Sequence, residues 1–265
     1  MIATSGRVTA LLVGIPFVLA AAGWGAFSMV GLFAQTSDHV ETSYPWNGGE
    51  VSLQSWSGYV HVVVGSGNEV GVSYTEHYQL KKPTVTGAVS GSGVQLNAKC
   101  PGGIFANNCE INYTLTVPAA ANLVIHTGDG EIEVADSTGG LTLSTGAGGI
   151  NLSAVSGAID ARTGDGGIYA TELQSLSVQA KTGDGGIHLG FDVVPMNVDA
   201  TTGAGGIDIG VPAASGPYKV SASAGNGGKS VTVPIDPNAT KLITARTGDG
   251  GITIQYMPPL TKLSG

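Results

Sequence analysis

Charged side chains are scarce in this sequence, at 11% of 265 residues, where about 25% is usual. Cysteine occurs twice and tryptophan three times, and 11 basic residues face 19 acidic ones for a net charge of −8. Without a cluster of Lys and Arg there is nothing to neutralise phosphates, so nucleic acid and an anionic lipid surface are excluded as partners. Two cysteines with no histidine at ligand spacing do not make a zinc site, and no metal or other cofactor is expected. No period of 3.6 residues appears after position 40, so that part of the chain holds no amphipathic helix. Nor is there a serine nucleophile elbow, or a phosphate loop opening a helix.

Glycine, in contrast, numbers 43, over twice the usual share of about 7%. It does not recur at every third residue, which excludes collagen. Val, Ile and Leu recur throughout, which argues against disorder. Short apolar strands joined by tight turns remain, and the reading is all-β.

Residues 8–34 carry no charge and read VTALLVGIPFVLAAAGWGAFSMVGLFA. About 20 such residues cross a bilayer as a helix, whereas the apolar part of a cleaved signal is about 7–15 residues. The expectation is a single-pass transmembrane anchor over 8–34, with residues 1–7 cytoplasmic. A signal cleaved after Ala20-Ala21-Ala22 is the competing reading. Arg7 precedes the run, and Asp38 and Glu41 follow it, so the positive-inside bias places the rest outside the cytoplasm, at the cell membrane. Beyond the anchor, 10 basic residues face 19 acidic ones. Cys100 and Cys109 suit that compartment. They flank PGGIFANN between two strand-like runs, and a disulfide there would close the loop, contributing about 2–3 kcal/mol.

The strongest signal is a repeat. TGDGEIEV begins at Thr127, TGAGGINL at Thr145, TGDGGIYA at Thr163 and TGDGGIHL at Thr182. TGAGGIDI follows at Thr202, a degenerate AGNGGKSVTV at Ala224 and TGDGGITI at Thr247. Each unit of ~18–23 residues holds two short strands with alternate apolar positions, such as Val178/Ala180 before the turn and Ile187/Leu189 after it. One face is dry and one wet. A single unit cannot bury its apolar side, but stacked units can, so the fold expected over 119–257 is a β-solenoid, parallel β-helix-like, with rungs pairing in chain order. The turn glycines supply positive φ, and the turn threonine is placed to cap turn amides. Residues 35–118 form a less regular β region with strands near 51–54, 58–64, 70–77, 84–89, 93–98 and 111–117. Coils and antiparallel hairpins both fit it. Trp46, Trp56, Tyr59 and Tyr74 offer bulk to cap the solenoid. The tail, 258–265, carries Pro258 and Pro259, which would blunt a last exposed edge.

An anchor, irregular early strands, a run ending in Val117-Pro118, and then a (S/T)-G-x-G-x-I repeat form a recognisable order. The chain resembles the bacterial putative-adhesin family of β-strand-repeat proteins, a domain of unknown function, over about residues 50–260. That resemblance implies a bacterial cell-envelope protein tethered by one helix. It supplies no catalytic residues.

Three groups of outward residues could carry chemistry. Calcium-binding β-rolls place Asp after the glycines, whereas Asp129, Asp165, Asp184 and Asp249 sit between them, as turn formers do. Asp160 and Asp199 share a column two rungs apart with Gln179 between and Arg162 and Lys181 alongside. A carboxylate pair at such spacing could serve a carbohydrate-active enzyme. Glu133, Asn151, Tyr169, His188 and Asp208 form another column, in which Tyr169, His188 and Asp208 would make a small binding patch. The expectation is a non-enzymatic, adhesin-like binding or structural module contacting an envelope protein or a glycan. The alternative is an enzyme using Asp160 and Asp199.

Overall fold

The computed structural model describes residues 36–79, 81–102, 109–213 and 215–257. The expected anchor at 8–34 and the proline-bearing tail lie outside the described residues. Among those described, no helix is long and apolar enough to cross a membrane.

Seven strands come first: β1 (Thr36–Pro45), β2 (Val51–Gln54), β3 (Val60–Gly65), β4 (Glu69–Tyr78), β5 (Thr84–Ser90), β6 (Gly93–Lys99) and β7 (Glu110–Pro118). Rungs of two strands follow, namely β8 (Leu123–Asp129) with β9 (Ile132–Ala135), β10 (Leu141–Ala147) with β11 (Ile150–Ser153), and β12 (Ile159–Asp165) with β13 (Ile168–Leu173). Next come β14 (Ser177–Asp184) with β15 (Ile187–Phe191), and β16 (Asn197–Ala204) with β17 (Ile207–Val211). The last two are β18 (Lys219–Asn226) with β19 (Lys229–Val231), and β20 (Leu242–Asp249) with β21 (Ile252–Tyr256).

These strands build two facing sheets. The first has eleven strands in the order β1-β4-β7-β3-β9-β11-β13-β15-β17-β21-β19, and the second has ten, β18-β20-β16-β14-β12-β10-β8-β2-β6-β5. At about 4.8 Å per step the first sheet runs about 48 Å. The repeat strands pair in parallel and in register, so Ile132, Ile150, Ile168, Ile187, Ile207 and Ile252 form one ladder. All six are buried, each contributing about 1.5–3 kcal/mol. The solenoid expectation holds.

Rung order does not follow chain order. The last rung, β20/β21, lies between β16/β17 and β18/β19. Composition explains the exchange. In β19, Lys229 stands where β21 has Ile252, and in β18, Ala224 stands where β20 has Thr247. An ammonium between two rungs would be a buried unpaired charge, whereas at the end of the stack Lys229 is exposed.

The other end mixes coil and hairpin. β2/β3 is a rung, and β6/β7 pairs in parallel on its outer side. Antiparallel β4 and β5 then close the stack, and β1 lies on β4. Trp56 and Tyr59 do not cap the core. They sit in the β2–β3 turn, 61% and 50% exposed, where the Gly58 N–H donates to Asp129 O of the next turn. The bulk comes from Tyr113, fully buried, with the Tyr74 ring 5.6 Å away. Trp46 packs against the core and donates Nε1–H to Gly49 O at 2.6 Å. The disulfide joins Cys100 to Cys109 with Cα atoms 5.9 Å apart, between the end of β6 and the start of β7.

The turn threonines are buried and donate to carbonyls rather than capping amides. Thr163 Oγ1 reaches Gly148 O at 2.8 Å, Thr182 reaches Gly166 O at 2.8 Å and Thr202 reaches Gly185 O at 2.9 Å. Each hydroxyl thus ties its rung to the neighbouring turn.

Candidate functional site

Parity of the strands decides which side chains reach solvent, and stacking decides which become neighbours. On the ten-stranded sheet, Asp160, Gln179, Asp199 and Thr244 follow one another on β12, β14, β16 and β20. They lie in an open groove of about 740 Å³ whose walls also carry Asn122, Thr142 and Asn197. Arg162 Nη2 lies 2.8 Å from Asp160 Oδ2, and Arg246 Nη1 lies 3.9 Å from Asp199 Oδ1. The second contact was not legible from the sequence. In chain order β18 would separate Arg246 from Asp199, and only the exchange of rungs makes them neighbours. Among the described ion pairs Lys181 has none.

On the eleven-stranded sheet, Glu133, Asn151, Tyr169, His188 and Asp208 form the expected column, extended by His61 at one end and by Thr253 at the other. His188 Nδ1 lies 3.4 Å from Asp208 Oδ2, and His61 Nδ1 lies 2.9 Å from Glu133 Oε2. Tyr169, His188, Asp208 and Thr253 wall a groove of about 340 Å³ floored by Gly186, Gly206 and Gly251. Tyr169 is 53% exposed. Its ring lies back over Gly167, where a Cβ would collide with it. The sequence marked the walls of this groove and missed its floor.

The three glycines of a TGxGG turn do different work. A Cβ on the first would press on the carbonyl of the adjacent rung, at 2.6 Å from Gly183 O in the case of Gly203. The second has positive φ, 140° at Gly205. The third meets neither constraint. The available signal was Glu131, which stands at that third position in the first repeat.

Asp165 and Asp184 are neighbours, while Asp249 pairs with Ala204 and Asn226, accepting from Asn226 Nδ2 at 2.6 Å. Among the described residues no group of three His, Cys, Asp or Glu is arranged to hold a metal ion.

The family model of Toastrack DUF4097 matches residues 43–255. The chain belongs to that family. The resemblance carried by the TGDGGI-type repeat is thereby borne out. No curated protein matches this Toastrack chain. Among solved structures it is similar to a "putative cell adhesion protein" from Clostridium sporogenes, 15% identical, covering 84% of this chain and 100% of that one, with a TM-score of 0.42. A "putative adhesin" from Bacteroides fragilis is 11% identical over 83% and 97% of the two chains, with a TM-score of 0.42. A "putative lipid binding protein" from Parabacteroides distasonis is 12% identical over 85% and 98%, with a TM-score of 0.26.

Proposed function

We propose that this Toastrack protein is an adhesin-like binding or structural module of the bacterial cell envelope, anchored by residues 8–34 and facing away from the cytoplasm. One observation carries the reading. Apart from the turn threonine, the inward positions of the repeat rungs are apolar in all but the terminal β18/β19 rung, while the outward positions gather polar and aromatic side chains into two open grooves on opposite faces. A rod of similar rungs with individual faces suits display of a surface to an envelope protein or a glycan.

The full-length chain, expressed in bacteria, is expected to fractionate with membranes and to pull down with purified cell-wall glycan without releasing product. An amino terminus near Gly23 or Gln35 would remove the anchor from this reading. Failure to retain the protein on cell-wall glycan or on any purified envelope protein would remove the binding role.

A second reading rests on Asp160 and Asp199 sharing the larger groove. Glycoside hydrolysis requires one carboxyl to act as a proton donor, and both of these are engaged by guanidinium groups. Release of reducing ends from cell-wall glycan, abolished by Asp160→Asn and by Asp199→Asn, would establish the enzyme and displace the module.

A further inference from the structure

The third glycine of the repeat is not required by the fold. A Cβ on Gly186 would lie 3.6 Å from its nearest backbone oxygen, and one on Gly206 would lie 3.7 Å away, both ordinary contacts. Neither residue has positive φ. Glu131 occupies the equivalent position in the first rung, and its carboxylate reaches Asn151, so the geometry accepts a long side chain. Each of these glycines lies in the turn between the two strands of its rung, where a residue without a side chain leaves the backbone open to close approach by another molecule. Here glycine is kept at 149, 167, 186, 206, 228 and 251.

What stands around this bare floor indicates the class of molecule. The Tyr169 ring uses the vacancy at Gly167 to lie along the sheet, 53% exposed, at one end of the groove. His188 and Asp208, 3.4 Å apart, line its side, with Thr253 beyond. An aromatic face packs against the C–H face of a sugar ring. A carboxylate offers two acceptor oxygens, and an imidazole and a hydroxyl add a donor and an acceptor for the ring's equatorial groups. The volume, about 340 Å³, lies at the small end of ligand sites, which span about 300–1,000 Å³. It suits one or two rings rather than a long chain. Asp208 in the wall and a net charge of −8 reject uronic and phosphorylated sugars. We propose that the groove floored by Gly186, Gly206 and Gly251 is a subsite for a neutral pyranose residue of a glycan. This inference rests on the binding-module reading and narrows it to one face and one ligand class.

The test uses the purified full-length chain with triacetylchitotriose, maltotriose and mannotriose as probes, followed by calorimetry and by saturation transfer to the sugar's ring protons. One of the three is expected to bind saturably. Gly206→Ala, which adds one methyl to the floor, is expected to weaken binding about tenfold, a change of about 1.4 kcal/mol, without lowering the melting temperature. Tyr169→Ala, at an exposed position, is expected to weaken it as much, and carries the test should Gly206→Ala lower the melting temperature. Asp199→Asn on the opposite sheet is expected to change nothing. No binding of any of the three probes would overturn the subsite, as would binding indifferent to both Gly206→Ala and Tyr169→Ala. Binding lost only with Asp199→Asn would overturn it too, while leaving the binding module standing. A purified envelope protein that binds wild type but not Gly206→Ala, with no trisaccharide bound, would give the groove to a protein and overturn the sugar assignment.

Discussion

At the scale of single residues the fold is governed by parity. Ile187 is 2% exposed in the ladder between Ile168 and Ile207, and His188, one position on, faces the groove. Ile187→Asp would place a carboxylate in that ladder without a partner and is expected to cost several kcal/mol, of order 3–5. His188→Asn keeps a polar group in solvent and is expected to stay within about 0.5 kcal/mol. Thermal unfolding of the two variants checks this, and equal losses would contradict the architecture. The buried threonines make a subtler case. Thr182→Val preserves shape but leaves Gly166 O without the hydroxyl that donates to it at 2.8 Å. A loss of about 1–3 kcal/mol is expected in denaturant unfolding, whereas a Thr whose only task was local capping would cost less. Gly205→Ala is the corresponding backbone probe. Its φ of 140° and a Cβ overlapping Gly185 O set it apart from its neighbour Gly206, and its melting temperature is expected to fall where that of Gly206→Ala does not.

Among elements, the exposed β1 is held to β4 by polar contacts as well as by its ladder. Asp38 on β1 accepts from Tyr78 Oη at 2.9 Å and from Lys82 Nζ at 3.0 Å, while Lys82 also lies 3.0 Å from the buried Glu76. The hydrogen bond from Lys82, then that from Tyr78, holds the Asp38 carboxyl below its ordinary range. Its pKa is therefore lower in the folded chain than in the unfolded one, where it is about 3.9. The stabilisation this confers is fully present above the unfolded value and is lost as pH falls through the folded one. Melting temperatures of wild type and Asp38→Asn are expected to differ by a constant amount from neutral pH down to about pH 5 and to converge in stronger acid. A gap that widens on acidification would contradict this assignment.

For the whole molecule, the distinctive feature is the placement of the last rung inside the stack. Adjacent parallel strands bring paired residues to about 4.8 Å, and residues two rungs apart to twice that. A disulfide bridges Cα atoms about 4.4–6.8 Å apart. Asp199→Cys with Thr244→Cys is therefore expected to cross-link in an oxidised sample, and Asp199→Cys with Ser221→Cys is not. Mass spectrometry of non-reduced peptides distinguishes them, and the reverse result would restore chain order. The exchange also shapes the surface. It sets Arg246 beside Asp199 on one face, and Thr253 and Gly251 beside Asp208 and Gly206 on the other.

Periodicity alone determined the class of fold and the contents of its core, because a two-residue alternation repeated every ~18–23 residues can bury its apolar side only by stacking. The column membership of Tyr169, His188 and Asp208, and of Asp160, Gln179 and Asp199, followed from the same arithmetic. The pairing of the two cysteines came from a different source, the strand-like runs on either side of them and the compartment the preceding apolar run implies. Tertiary structure decided the order of the rungs at both ends. The repeat motif is local and says which residues form a rung, whereas the position of a rung depends on which rungs can tolerate a neighbour on both sides. Lys229 and Ala224 recorded that difference in the sequence, yet it acquires meaning only when the burial of Ile252 and Thr247 is weighed against them. The groove floor was hidden for a related reason. In six of the seven turns the three glycines look alike as letters, and only the positive φ of the second and the backbone carbonyl of the next rung separate those the chain requires from the one it could do without.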